Sequence, residues 1–256
     1  MAINKYNNIP QEDLLELEEY LNRNNKDETI LFQTLKINIK CKSENQKQLV
    51  NSIKQNEITI CCGLPGTGKT YLSCAQALKL LKTKHPNKYK RIVLIKSVTT
   101  LKNEEIGFLK GTLEEKMEPF IDSFMDNFRK LIGKSRTQRL KQLGLIEVLP
   151  IAFARGRSID NSIIIIDEAQ NISLENIRTL MTRIGDDSKM IILGDVKQAD
   201  IRNKKDSSLG IIIKKFKNIK NFGTVTLNDE TDVVRNPIIK TIENVFENLN
   251  GATLKI

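Results

Sequence analysis

The residues Gly63-Leu64-Pro65-Gly66-Thr67-Gly68-Lys69-Thr70 fill the pattern G-x-x-x-x-G-K-[ST]. An apolar run of strand length, Ile58–Cys62, precedes them. Lys69–Leu81 follows, with Leu72, Ala75, Leu78 and Leu81 on one helical face. A strand, a glycine-rich turn and a helix N-terminus in that order constrain the chain strongly. The glycines let backbone N–H groups turn inward, and the helix dipole adds positive potential at the same point. Such a loop cradles the phosphates of a nucleoside triphosphate. Lys69 is expected to reach the β- and γ-phosphates, and the Thr70 hydroxyl to ligate Mg2+. The expected nucleotide-binding set is Gly63 through Thr70, with Tyr71 behind them.

Downstream, strand-like and helix-like segments alternate. Strands are expected at Ile92–Ile95, Ile146–Leu149, Ile163–Ile166, Met190–Leu193 and Phe222–Leu227. Between them, Leu113–Ile132 is amphipathic, with Met117, Phe120, Ile121, Phe124 and Phe128 at helical spacing. Ser173 caps a helix running to Ile184, Ser207–Phe216 reads as helical, and Asn236–Leu249 closes the series with Pro237 in its first turn. Upstream, Ser43 and Gln46 match a capping box before a helix with Leu49, Val50 and Ile53 on one face. Continuous apolar strands alternating with amphipathic helices predict an α/β fold with a mainly parallel sheet covered on both faces.

In such sheets ligands sit at the carboxyl ends of the strands. Ile163-Ile164-Ile165-Ile166 delivers Asp167 and Glu168 there. Asp167 is expected to hold Mg2+ with Thr70, and Glu168 to orient or deprotonate a water. Leu193-Gly194-Asp195-Val196-Lys197-Gln198 repeats the strand-then-polar-loop layout. Gln198 is the candidate γ-phosphate sensor, because an amide both donates and accepts.

Composition removes other chemistries. The chain has 256 residues, a mass of 29.2 kDa and a formal charge of +10; 39% of it is hydrophobic and 28% charged. No apolar run is long enough for a transmembrane helix, and the N-terminal sequence lacks a basic-then-apolar secretory pattern, so a cytoplasmic location is expected. Cys41, Cys61, Cys62 and Cys74 form no C-x-x-C pair, and the adjacent Cys61 and Cys62 read as strand packing. His85, the only histidine, falls in the polar stretch KTKHPNKYK and reads as a surface loop residue. This leaves no His-rich metal site and no Ser–His–Asp triad.

The spans ENQKQLVNSI, GLPGTGKTYL, RIVLIKS, IGFLKGTLEEKMEPF, IEVLPIAFARGRS, IIIIDEAQN, TRIG, LGDVKQAD and DVVRNPII together resemble the PhoH-like ATPases. The resemblance runs from about Glu44 to Phe246. It implies a single RecA-like, three-layer P-loop domain similar to the first motor domain of superfamily 1 helicases, acting on ATP with Mg2+. It implies that Gln46 contacts the adenine, that Glu168 is the catalytic glutamate and Gln198 the phosphate sensor. Arg157, Arg183 and Arg235 match the family's arginine positions. Ile95-Lys96-Ser97 and Ala199-Asp200-Ile201 depart from the family pattern.

The expected organisation is a helical appendage and linker over residues 1–42, with Gln11–Leu21 helical and NRNNKDET a loop. An ATPase domain follows over 43–250, and a tail over 251–256. The excess positive charge favours a polyanionic partner, RNA or single-stranded DNA. Arg129, Lys130, Lys134, Arg136, Arg139 and Lys141 form an acid-free run, and Arg202–Lys220 is nearly as basic. Few aromatics and no Trp speak against base stacking. One RecA-like domain supplies one side of an ATP site. The expected active form is therefore a homo-oligomer, by family a hexameric ring, with Arg235 or else Arg183 completing a neighbour's site. A nucleotide-binding regulatory module with little turnover, or the ATPase part of an RNA-processing system, are the alternatives.

Overall fold

The structure is a computed structural model that describes residues 26–96, 113–196 and 208–234, together with residues 238 and 245. Six strands form one sheet: β1 (Ile58–Gly63), β2 (Arg91–Lys96), β3 (Ile146–Val148), β4 (Ser162–Asp167), β5 (Lys189–Gly194) and β6 (Phe222–Leu227). Their spatial order is β3-β2-β4-β5-β1-β6, and every pairing is parallel. One strand, β5, therefore separates β1 from β4.

Side chains alternate along each strand, so the sheet divides the core in two. Ile163 and Ile165 of β4 share one core with Ile92, Leu94, Ile191 and Leu193. That face is covered by α1 (residues 26–34), α2 (Glu44–Gln55), α3 (Lys69–Lys84), α4 (Leu113–Ile132) and α5 (Lys134–Gln142). Ile164 and Ile166 face the other way, toward Leu149, α6 (Ile151–Ala154), α7 (Leu174–Met181) and α8 (Ser208–Phe216). This is the three-layer P-loop fold of the RecA-like kind. Among the described residues no helix is long and apolar enough to cross a membrane.

Several expectations change in detail. β4 and β5 each run one residue further at both ends, because Ser162, Asp167, Lys189 and Gly194 pair although they are polar or small. α7 stops at Met181 rather than Ile184; Ile184 instead bridges Ile159 at the amino end of the sheet. α5 has no counterpart among the expected helices, since only Thr137 and Leu140 of it are buried. The Lys26–Thr29 part of the expected loop is the first turn of α1. His85 is not on a polar surface loop. It follows the last turn of α3, its Nε2 lies 2.8 Å from Glu28 Oε2 of α1, and its ring lies 5.0 Å from that of Phe32. Leu31 and Leu35, from the expected appendage, join the core. The expected helix over Gln11–Leu21 lies outside the described residues. So does most of the closing helix, of which Ile238 and Val245 are helical and exposed.

β5 begins with a buried lysine. Lys189 is 5% exposed, and its ammonium donates to the Asn56 carbonyl. Burial pushes its pKa down from 10.5 to about 8. Between these values the unfolded chain binds more protons than the folded one, so this residue's contribution to stability improves as pH rises and is least favourable below about 8. Urea unfolding of wild type and Lys189→Met should show a stability difference that shifts toward wild type by roughly 3 kcal/mol between neutral pH and pH 10.5. A difference independent of pH would contradict the assigned shift.

Candidate functional site

β1 ends at Gly63, where a side chain has no room. A Cβ there would lie 2.7 Å from both Leu227 Cβ and Leu227 O of β6. The turn that follows closes at Gly68, whose φ of +80° is the left-handed conformation that glycine adopts without strain. α3 then starts at Lys69 with its first N–H groups open toward the turn. The loop is braced from inside: Thr67 Oγ1 donates to Leu64 O at 2.8 Å, and Leu64 N to Leu227 O at 3.1 Å. Lys69 Nζ donates to the carbonyls of Gly63 (2.6 Å) and Leu64 (2.9 Å). Pro65 and Gly66 complete the turn, and Gly66 O accepts from Val234 N at 3.0 Å.

Thr70 and Asp167, 97 residues apart in sequence, meet across the end of β5: Thr70 Oγ1 donates to Asp167 Oδ2 at 2.9 Å. Asp167 is 6% exposed. Burial, helped by the neighbouring Glu168 carboxylate, raises its pKa; the bonds from Thr70 and from Glu168 N oppose this. A hydroxyl and a hard, buried, underneutralised carboxylate side by side suit Mg2+, which takes one or two protein oxygens and completes its shell with water and phosphate. The residues present thus fit a Mg2+–nucleotide.

Glu168 sits in the left-handed region at φ 56°. Its Oε2 accepts from Gln170 Nε2 at 2.7 Å, and Gln170 Oε1 in turn accepts from Asp195 N at 3.0 Å. Gln170, to which the sequence alone assigns no role, therefore ties the β4 loop to the β5 loop. The loop, Thr70, Tyr71, Asp167 and Glu168 line one cleft of about 440 Å3 with Lys96 of β2 and Asp126, Asn127 and Lys130 of α4. Lys96, singled out only as a departure from the family pattern, contributes a cation here.

Gln46 is 2% exposed and lies under the loop. Its Nε2 donates to Thr67 O at 3.0 Å and its Oε1 accepts from Lys42 N at 2.6 Å. Beside it lies Asp232, fully buried. Asp232 Oδ1 accepts from Ser43 Oγ at 2.5 Å, and Oδ2 accepts from Asn45 Nδ2 at 3.0 Å and Asp229 N at 2.9 Å. Asp232 thus ties the start of α2 to the segment that ends in Val234 on the loop. In the sequence it is visible only as a letter in DVVRNP, since its partners in α2 lie far away.

The remaining candidates divide. Gln198 and Arg235 lie outside the described residues. Arg183 lies where the chain returns to the amino end of β4, its carbonyl accepting from Ile159 N at 2.9 Å, so β4 separates it from its own chain's Asp167. Arg157 is exposed and pairs with Glu147 at 3.5 Å. In the basic run, Arg129 pairs with Asp126 at 2.7 Å and Arg139 with Asp27, which neutralises part of that surface.

Comparison with known proteins follows the same span. The family model for PhoH-like protein matches residues 38–247. This chain belongs to the PhoH-like family. It is 36% identical over 212 residues to a PhoH-like protein of Bacillus subtilis, covering 83% of this chain and 65% of that one. It is 30% identical over 202 residues to the protein PhoH of Escherichia coli, covering 78% and 56%. The chain thus spans less than two thirds of the length of these relatives. Among solved structures, the large terminase of a thermophilic bacteriophage matches with a TM-score of 0.47 at 10% identity, covering 79% of this chain and 49% of the terminase. The Pif1 helicase of Candida albicans matches with a TM-score of 0.38 at 16% identity, covering 81% and 43%.

Two variants test the PhoH-like site without nucleotide. Asp167→Asn keeps a partner for Thr70 and Glu168 N but carries no charge. Because the folded-state pKa of Asp167 is raised, its contribution to stability is present at low pH and lost as pH rises above the usual carboxylate range. In the metal-free protein, the Asn variant should gain on wild type in urea unfolding between pH 4 and 7; an opposite trend would contradict the assignment. Asp232→Ala should cost about 2–4 kcal/mol, since it strands buried donors. A melting temperature equal to wild type would show that the Asp232 contacts carry no weight.

Proposed function

We propose that this PhoH-like chain is a Mg2+-dependent ATPase whose turnover is coupled to RNA or single-stranded DNA. The observation that carries the reading is the 2.9 Å bond from Thr70 to Asp167, at the mouth of a loop built for phosphate. Mg2+, when bound there, supplies charge neutralisation on the β- and γ-phosphate oxygens. Lys69 exchanges its two loop carbonyls for phosphate oxygens. Glu168, steered by Gln170, accepts the proton of the attacking water. Gln198, three residues on in sequence from the Asp195 that Gln170 holds, senses the γ-phosphate. Gln46 sets the loop through Thr67, and a direct adenine contact requires it to trade one of its amide bonds, to Lys42 N, Thr67 O or Asp232 O, for the base.

The oligomer belongs to the same proposal. A γ-phosphate needs an arginine that β4 keeps away in the case of Arg183, so a neighbouring subunit is the natural donor, with Arg235 first and Arg183 second. A homo-oligomeric ring, by family a hexamer, supplies one. A cytoplasmic location, where ATP and RNA are both abundant, fits the proposal. The contrary reading, a nucleotide-binding module with little turnover, draws on the Glu168 carboxylate, which the Gln170 amide already occupies.

Steady-state ATP hydrolysis with and without RNA, single-stranded DNA and duplex DNA tests both readings. Lys69→Ala should weaken nucleotide binding. Glu168→Gln should bind nucleotide as wild type does and lose about 10²–10⁴-fold in turnover. Equal turnover in wild type and Glu168→Gln would remove Glu168 from the reaction and favour the binding module. Mixing Arg235→Ala with Glu168→Gln should restore part of the ATPase if the arginine acts across an interface. No recovery, with a monomeric mass under ATP, would rule that out.

A further inference from the structure

A second cleft, of about 680 Å3, opens at the carboxyl end of the sheet. Its lining comes from the ends of three neighbouring strands: Lys96 closes β2, Pro150 and Ile151 follow β3, and Asn171 and Ile172 follow β4. Arg155, at the end of α6, and Asn176, in the first turn of α7, complete it. It shares Lys96 with the nucleotide cleft. The 3-10 turn Ala169–Asn171 carries Gln170 toward Glu168 and Asn171 into the second cleft.

The chemistry of this cleft is unlike that of the basic run on α4 and α5. Arg155 is exposed, and its guanidinium donates to the neutral Asn176 Oδ1 at 2.9 Å; among the described residues it has no carboxylate partner. Lys96 Nζ likewise donates to a hydroxyl, Ser123 Oγ, at 3.0 Å. The two helices that frame the cleft each bring a large apolar side chain into water: Phe153 of α6 is 55% exposed and Leu174 of α7 is 48% exposed. One exposed acid, Glu175, lies in the first turn of α7. An exposed aromatic on a framing helix, an arginine with no carboxylate partner among the described residues, amides and a partly apolar floor is the combination that takes a strand of unpaired bases: rings stack, cations track phosphates, and amides meet base edges or sugars.

We propose that the cleft between α6 and α7 is a binding groove for single-stranded nucleic acid, with Phe153 as a stacking platform and Arg155 as a phosphate contact. This rests on the nucleic-acid reading given above and locates it. The groove shares Lys96 with the nucleotide cleft and has Glu168 three residues before Asn171, so a strand held there lies one short turn from the ATP site. An interface between copies of this chain is the competing use of the same apolar face.

Binding of labelled oligouridylate and oligothymidylate to the full chain, over a salt series, tests the proposal; the two probes separate RNA from DNA. Phe153→Ala should weaken binding about five-fold or more, and Phe153→Tyr should retain it. Arg155→Gln should reduce the salt slope by about one. ATP turnover without nucleic acid should stay at the wild-type rate in all three, which shows that they fold. Wild-type affinity and salt slope in both Phe153→Ala and Arg155→Gln would overturn the location while leaving the nucleic-acid reading intact. A wild-type chain that binds neither probe would overturn both. A lower oligomeric mass for Phe153→Ala with unchanged binding would assign the face to self-association and overturn the groove.

Discussion

Everything at the nucleotide edge depends on placing one carboxylate in a poorly hydrated spot. Asp167 is buried and stands beside another acid; a threonine hydroxyl, a backbone N–H and the charge of Lys96 only partly offset this. Such a group is costly without a cation, because desolvation penalises the charged form. The fold tolerates it because β4 is buried along its whole length and paired on both sides up to Ile166, with Asp167 itself still paired to Lys96 of β2. The instability that Asp167 introduces is the same property that suits the site to a divalent ion bearing phosphate.

How much of this is legible in the sequence depends on the range of the interaction. The loop and its flanking strand and helix are local, so Gly63–Thr70 and α3 can be read directly. The four isoleucines of β4 mark a buried strand because both faces of a parallel sheet are covered. Its ends read short, because Ser162 and Asp167 pair through backbone groups that carry no hydrophobic signal. α5 is hidden for a similar reason: two buried side chains in a basic segment leave almost no periodicity. The strand order, with β5 between β1 and β4, has no trace in the pattern of any one segment.

The hydrogen-bond networks are the least readable. Ser43 has the signature of a helix cap, and it is one, since its Oγ accepts from Gln46 N at 3.1 Å. Its hydroxyl proton goes to Asp232, 189 residues away. Gln170 is one letter of a recognised span, yet its two amide ends join Glu168 to the backbone after β5. A polar side chain at such a position reads as solvent-facing until tertiary structure supplies the partner. The polarity of residues 22–29 misleads in the opposite direction: Asp27 and Glu28 look like a solvated loop, but their carboxylates meet Arg139 and His85 on the core domain.

The helix over residues 26–34 changes what counts as the independent folding unit. The family match begins at residue 38, after that helix has ended. Leu31 and Leu35 nevertheless sit in the same core as Leu78 and Leu81 of α3, and Lys82 Nζ donates to Leu35 O at 2.6 Å. A fragment cut at the family boundary would keep each element of the nucleotide edge described above and still expose the back of the helix that begins at the phosphate loop. The segment that evolutionary comparison marks out and the segment that physical packing requires are therefore different lengths of this chain.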